Sequence, residues 1–367
     1  MNRRKTVKLL GTGIASCMFP FTIPKFKTAA EAIDLVEVRT IINQHFDRLL
    51  DREGRYGAYR SGPGERTDLY SSADVAIARH IMGEDLQESL SSQQKEDWVY
   101  HINSFQSSRD GSYGDTLNHA PLHANGMVIG ALGVLGGRQK YRVKLYDDLN
   151  TVEKAGPWLE NIDWSLQWSG SHLFWGGMHC YSLSRECSAQ WLDFVFNWLD
   201  ANLDETTGWW RKGIPAADRH QTLGGSVHII PIYQHHNRVF PFPERVIDSV
   251  LALQLENGRW LDTGWQHVMH YLELDALYAL NYMMELAPNY RKDDILKSVN
   301  KYADLVTGYW KSSRQEMLTL HPHRILAAVG TFGLLQTILP DRFTDQVAWT
   351  DIFSDRALYD TSSVEVL

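Results

Sequence analysis

The stretch SVLALQLENGRW, residues 249–260, reads as the end of an amphipathic helix, then Gln254, then a turn into Gly258-Arg259-Trp260. The same ending, a glycine followed two positions later by an aromatic residue, occurs at five other places. The six glycines are Gly54, Gly111, Gly156, Gly208, Gly258 and Gly308. Their spacings of 57, 45, 52, 50 and 50 residues indicate a repeat with a period near 50. This period predicts six helical hairpins closed into a ring.

Each repeat predicts one helix before the turn and one after it. Apolar residues recur at helical spacing over 30–51, and 267–285 is the clearest helix of the second kind. Strand signals are few. We therefore expect an all-α fold, an (α/α)6 toroid of six hairpins with a central cavity. It spans 31–340, and a C-terminal tail, 341–367, packs on it.

Two of the turns carry a family resemblance. Gln106 with Gly111 and Tyr113, and Gln254 with Gly258 and Trp260, resemble the Q-x-x-x-G-x-W repeat of the terpenoid cyclase and protein prenyltransferase toroids. The resemblance implies an α/α barrel over most of 31–340. It does not extend to the chemistry, because the D-x-D-D and D-D-x-x-D motifs of that family and the late cysteine of a prenyltransferase zinc site are missing.

The first thirty residues predict a targeting segment of the twin-arginine type. Arg3-Arg4-Lys5 precedes an apolar run over 7–21, which is too short to span a bilayer comfortably. An ordinary secretory signal is the alternative. Cys17 ends a stretch that resembles a lipoprotein box, which predicts a lipid anchor, whereas cleavage near 28–30 is the competing interpretation. Either way we expect an exported protein, periplasmic or attached to the cell envelope through Cys17.

The composition restricts the partners. The net charge of −8 is spread along the chain without a basic stripe, so nucleic acid is not an expected partner. Thirteen Trp and sixteen Tyr exceed what a core needs and favour a pocket for a small molecule or an oligosaccharide. No cofactor motif is present. We predict no metal site, because His119 and His123 have i,i+4 spacing but Pro121 lies between them.

Histidines concentrate just after the turns, where the second helices begin. Ten of the fifteen lie there: His119, His123, His172, His179, His220, His228, His267, His270, His321 and His323. A single histidine is more often structural, but equivalent positions of a ring converge at one mouth. A helix N-terminus carries a partial positive charge and lowers the pKa of a nearby histidine, which can then act as a base near neutral pH.

The predicted site follows from this convergence. The candidate catalytic residues are His228, His270, Glu273 and Tyr233, with Glu273 orienting the base or serving as acid. The candidate substrate-binding residues are His123, His172, Trp168, Trp175, Trp210, His235, Asn237 and Arg238. The tryptophans are expected to stack on sugar rings, and the polar run 233–238 to neutralise a carboxylate.

Three functions remain open at this point. The first is an exported carbohydrate-active enzyme, a polysaccharide lyase or a glycoside hydrolase. The second is an isoprenoid cyclase or prenyltransferase-like enzyme, from the toroid resemblance. The third is a non-catalytic toroid that binds a ligand or a partner.

Overall fold

The computed structural model describes residues 32–114, 117, 119–261 and 267–366, and the chain is mostly helical over them, as predicted. The twin-arginine segment and Cys17 lie outside the described residues. No helix in these ranges is both long and apolar enough to cross a membrane. Cys180 and Cys187 are not joined by a disulfide.

The described elements are the following. The strands are β1 (Ile33–Asp34) and β2 (Phe343–Thr344), and the α-helices are α1 (Leu35–Leu49), α2 (Leu69–Ile81), α3 (Leu86–Ser89), α4 (Ser92–Asn103), α5 (Pro121–Leu135), α6 (Val152–Glu160), α7 (Gln167–Phe174), α8 (Cys180–Ser182), α9 (Ala189–Ala201), α10 (Gln221–Val227), α11 (Pro231–His235), α12 (Pro243–Leu253), α13 (Tyr271–Leu286), α14 (Lys292–Met317), α15 (Pro322–Ile338) and α16 (Thr361–Val364). A π-helical segment, Trp175–His179, joins α7 to α8, and short 3-10 helices cover Lys144–Asp148 and Arg356–Leu358.

The helices fall into two kinds. Helices α2, α5, α13 and α15 are buried over most of their length, because each carries small and apolar residues on every side. Helices α1, α9 and α12 instead bury one stripe and expose the other, as Val246, Ile247 and Val250 of α12 illustrate. The buried kind follows the turns and the amphipathic kind precedes them, as the repeat predicts.

The buried helices, together with α7 and α10, pack on one another in chain order. Helix α2 packs on α5, α5 on α7, α7 on α10, α10 on α13, and α13 on α15, while α15 also packs on α2. The amphipathic helices α4, α12 and α14 pack against members of this set.

The glutamine and the glycine of the repeat have a common structural role. The Gln254 side-chain amide donates hydrogen bonds to the carbonyl oxygens of Gly258, at 2.9 Å, and Ser298, at 3.0 Å. Gly258 turns the chain with a φ of 94°, a region that favours glycine. The Trp260 indole then donates to the Val250 carbonyl at 2.9 Å. The motif therefore ties together a helix end, its turn and the following repeat.

Two of the six predicted turns are wrong. Gly156 lies inside α6 and Gly308 inside α14, so neither ends a helix. In the third repeat Trp164 takes the role of the turn aromatic, because its indole donates to the Leu159 carbonyl at 2.9 Å, at the end of α6. The real turn therefore follows Gly156 by several residues, and the repeat is less regular than its glycines indicate.

The C-terminal residues pack on the helices. Helix α16 contacts α5, and the Thr361 hydroxyl donates to the Cys180 carbonyl at 2.8 Å. The Tyr359 ring stacks on His179 with 4.3 Å between centroids. Near the start of this segment, β2 pairs in parallel with β1. The start of the described chain is thus held against the beginning of the C-terminal segment.

Candidate functional site: a histidine-lined cavity

A cavity of about 370 Å³ opens where the N-terminal ends of the buried helices meet. Residues of α5, α7, α10, α13 and α15 line it, together with Ile352 and Phe353 of the C-terminal segment. Seven histidines belong to the lining: His119, His123, His172, His220, His228, His270 and His323. Helix starts place four of them there, since His220 and His270 are the N-cap residues of α10 and α13, and His123 and His323 lie in the first turns of α5 and α15. His172 and His228 instead lie at helix ends, in the last turn of α7 and at the C-cap of α10.

Five of these histidines form a contiguous group, which we call the histidine cluster: His119, His123, His172, His228 and His323. Ring centroids are 4.4 Å apart for His119 and His123, 4.5 Å for His123 and His172, and 5.0 Å for His172 and His228. Burial first, and then the neighbouring histidines, hold the pKa values of His123 and His172 well below the usual range. These imidazoles are therefore neutral at pH 7.

His228 is hydrogen-bonded through Nδ1. The Ser171 hydroxyl lies 2.8 Å from Nδ1 of His228 and 3.0 Å from the Trp168 carbonyl oxygen. When the hydroxyl proton is directed to the carbonyl, Nδ1 of His228 donates to the hydroxyl and Nε2 is the unprotonated nitrogen. Burial lowers the pKa of His228 to about 3. The cavity thus holds a neutral imidazole with a nitrogen ready to accept a proton.

Arg324 brings a cation into the same cavity. Its Nη1 donates to Nε2 of His270 at 2.7 Å, so the proton of His270 resides on Nδ1. Burial, and after it the Arg324 charge, lower the pKa of His270 to about 3. Trp168 meets His270 edge-on, with 6.2 Å between ring centroids. A guanidinium beside aromatic rings suits the carboxylate of a ligand.

Two residues of helix α2 make hydrogen-bond contacts to rings of the histidine cluster. The Tyr70 hydroxyl lies 2.8 Å from Nδ1 of His123, and the Asp74 carboxyl lies 3.0 Å from Nδ1 of His323. Burial raises the pKa of Asp74 well above the usual range, with the opposing charge of His321 a smaller effect. Tyr271 donates to the His323 carbonyl at 2.7 Å. These contacts fix the orientation of both rings.

Six of the residues singled out from the sequence line the cavity: His123, Trp168, His172, Trp175, His228 and His270. Glu273, expected to face it beside His270, instead binds a neighbouring turn. Its Oε1 accepts from Nε of Arg259 at 2.9 Å and from the Leu261 amide at 3.2 Å, and the side chain is fully buried. The reason is that His270 is the N-cap of α13, so helical spacing does not relate the two residues.

The polar run 233–238 also lies outside the cavity lining. Tyr233 donates to Asp200 at 2.6 Å, and Arg238 reaches the same carboxylate at 3.1 Å. His235 pairs with His179 at 2.9 Å, and Asn237 is exposed with a φ of 52°. The cause is a break in the helix between the cavity and this run, because α10 ends at Val227 and α11 begins at Pro231.

Trp210 serves the turn rather than the cavity. Its indole donates to the Leu199 carbonyl at 2.9 Å, and the residue is buried against Tyr233 and Phe240. This is the same structural role as that of Trp260.

Some lining residues were not singled out from the sequence as site residues. His119 belongs to the window after the turn at Gly111, so the repeat does locate it. His323 was placed after Gly308, which is not a turn, and Arg324, in the first turn of α15, was not indicated by the repeat. Ile352 and Phe353 come from the C-terminal segment, where no periodic pattern indicates a place in the fold.

No protein-family model, no curated protein and no solved structure matches this chain. Function is therefore argued from the chemistry of the cavity.

Proposed function

We propose that the six helices α2, α5, α7, α10, α13 and α15 form the inner ring of an α/α toroid. The support is that each packs on the next and that α15 packs on α2. A cysteine pair introduced across α2 and α15 should form a disulfide in the folded chain if the ring closes there, and an experimental structure tests the whole arrangement.

We propose that the cavity is the active site of an exported polysaccharide lyase that acts on uronic acid units. The carrying observation is that His228, whose pKa burial lowers to about 3, lies in the same cavity as the Arg324 guanidinium. An elimination of this kind needs a base for the proton beside the carboxylate and a positive or donor group for the charge that develops.

The roles follow from the chemistry. His228 Nε2 accepts the C5 proton, the electron pair forms the C4–C5 double bond, and the C4–O bond breaks. The His228 imidazolium then returns the proton to the leaving oxygen, so the step balances without another reactant. Arg324 pairs with the substrate carboxylate throughout. Trp168 and Trp175 offer ring surfaces for stacking on the sugar.

The lining favours a lyase over a hydrolase. Glycosidases typically use two carboxyl groups, roughly 5–9.5 Å apart. Among the described lining residues, Asp218 is the one carboxylate, while seven are histidines. Glu273, the other acid singled out from the sequence, is engaged with Arg259 behind the lining. Histidine is therefore the abundant proton-transfer group at this site.

The decisive experiment is a screen of polysaccharides with and without uronic acids. Ultraviolet absorbance of the unsaturated product and the release of reducing ends are followed together. Absorbance and reducing ends rising together support the lyase, and reducing ends alone indicate a hydrolase. Binding without turnover indicates a ligand-binding toroid, and turnover confined to isoprenoid diphosphates indicates the isoprenoid alternative. Each of the last three outcomes overturns the proposal.

A further inference from the structure

We propose that His119, His123 and His323 form a binding site for a divalent transition metal of the zinc class. The three residues each offer one ring nitrogen, and these nitrogens all lie within 4.8 Å of one another. The proposal goes beyond the lyase function and does not depend on a carbohydrate substrate. It also revises the expectation from the sequence that Pro121 separates His119 from His123.

The local fold explains how Pro121 permits the pair. Pro121 is the first residue of α5, so it starts the helix rather than interrupting it. His119 precedes the helix and His123 lies in its first turn, which stacks their rings at 4.4 Å. His323 reaches the same place from the first turn of α15.

The distances between the three ring nitrogens are close to those between the ligand atoms of a bound metal ion. A tetrahedral zinc ion with bonds of about 2.1 Å holds its ligand atoms about 3.4 Å apart. The nitrogens need to approach by at most about 1.4 Å to reach that separation.

Helix α2 supplies the outer partners that metal-bound histidines generally have. Nδ1 of His323 lies 3.0 Å from Asp74, and Nδ1 of His123 lies 2.8 Å from the Tyr70 hydroxyl. Both contacts direct Nε2 of each ring to the metal, and a carboxylate or similar acceptor on the opposite nitrogen is the usual arrangement. Tyr70 and Asp74 are four residues apart, on one face of α2, and both are fully buried.

The donor set indicates the kind of metal. Three imidazoles without thiolates suit zinc, copper, nickel or cobalt, whereas magnesium and calcium prefer several oxygen ligands. Three protein ligands leave a fourth position, which is typical of catalytic rather than structural zinc sites. Because the three histidines line the cavity, that position is open to water or to an oxygen of the substrate.

The test uses the chain purified without a histidine tag, stripped of metal by chelation and titrated with Co²⁺. We expect visible d–d absorption that saturates at one equivalent, displacement by Zn²⁺, and a rise in Tm, since a ligand of the folded state stabilises it. The absence of both the absorption and the Tm shift would overturn the proposal.

Variants locate the site. His323→Ala and His123→Ala should abolish the Co²⁺ spectrum, and Asp74→Asn, which keeps the size of the side chain, should weaken metal binding by about 10- to 100-fold. His101→Ala, on the outer helix α4, is the matched control and should bind Co²⁺ like the wild type. If the alanine variants fail to fold, Asp74→Asn decides, and unchanged affinity in it contradicts the site. Metal binding is read without any substrate, so its failure and a failure of the lyase proposal are separate results.

Discussion

His172 and His179 lie on one continuous helical segment, 167–182, yet their surroundings differ. His172 lines the cavity within the histidine cluster. His179 is covered, because its Nε2 lies 2.9 Å from Nδ1 of His235 and the Tyr359 ring stacks over it. Burial holds the pKa of both well below the usual range. A lowered pKa therefore does not separate a functional histidine from a structural one, and access to a cavity does.

The largest effect should follow substitution of the proposed base. His228→Gln removes the nitrogen that accepts the proton, and we expect turnover to fall by about 10²- to 10⁴-fold. The amide can still bond Ser171, so the Tm should change little. Initial rates on the polymer identified by the screen, measured with the Tm, check this. A variant with wild-type rates places the base elsewhere.

Glu273 provides the opposite case, an acid with a structural role. Glu273→Ala removes the carboxylate that neutralises the buried Arg259 guanidinium, which should lower the free energy of unfolding by about 3–5 kcal/mol. Denaturant unfolding measures the loss.

The control for Glu273 is the double variant Glu273→Leu with Arg259→Met, which removes both charges and should recover most of the stability. If Glu273→Ala is as stable as the wild type, the ion pair does not stabilise the fold.

Substitution within the buried pair of His179 and His235 should change stability but not activity. His235→Ala leaves Nε2 of His179 buried without its histidine partner, which should cost about 1–3 kcal/mol in the free energy of unfolding. We expect its rate per folded molecule to equal that of the wild type. A loss of rate like that of His228→Gln would contradict the conclusion that the buried pair is structural while the cavity histidines are functional.

The pH dependence of stability has a definite sign. The pKa of His228 is lowered to about 3 in the folded chain from a usual value near 6.5. Between these values the unfolded chain binds more protons, so the free energy of unfolding decreases as the pH falls below 6.5. Each such histidine contributes at most about 1.4 kcal/mol per pH unit. His228→Gln should show a shallower decrease than the wild type in denaturant melts at pH 4–7, and equal slopes would contradict the assignment.

The helices and part of the cavity lining are predictable from the sequence because both depend on local patterns. The turn glycines Gly111, Gly208 and Gly258 all take positive φ, and the histidines after the turns reach the cavity in most repeats. Periodicity fails where a helix does not continue. His270 is the N-cap of α13 and precedes the helix, so helical spacing counted from it misplaces Glu273. A new helix begins at Pro231 after α10 has ended, so spacing counted across Pro231 misplaces the run 233–238.

Long-range contacts have no comparable signal in the sequence. Phe353 lines the cavity and contacts His228 and Tyr278 through ring packing alone. Asp74 reaches His323 across 249 positions of the chain. Nothing near either residue indicates its partner, because the pairing is decided by how distant helices pack on one another rather than by the local sequence.

The two contacts that α2 makes behind the cluster differ in how much chain they enclose. Tyr70 and His123 are 53 positions apart, whereas Asp74 and His323 are 249 apart. Closing the longer loop costs about 1.4 kcal/mol more in chain entropy, since this cost grows as the logarithm of loop length. We therefore expect His123 to settle against α2 early in folding and His323 to arrive last. The cavity would then be assembled only when the last repeat docks on the first.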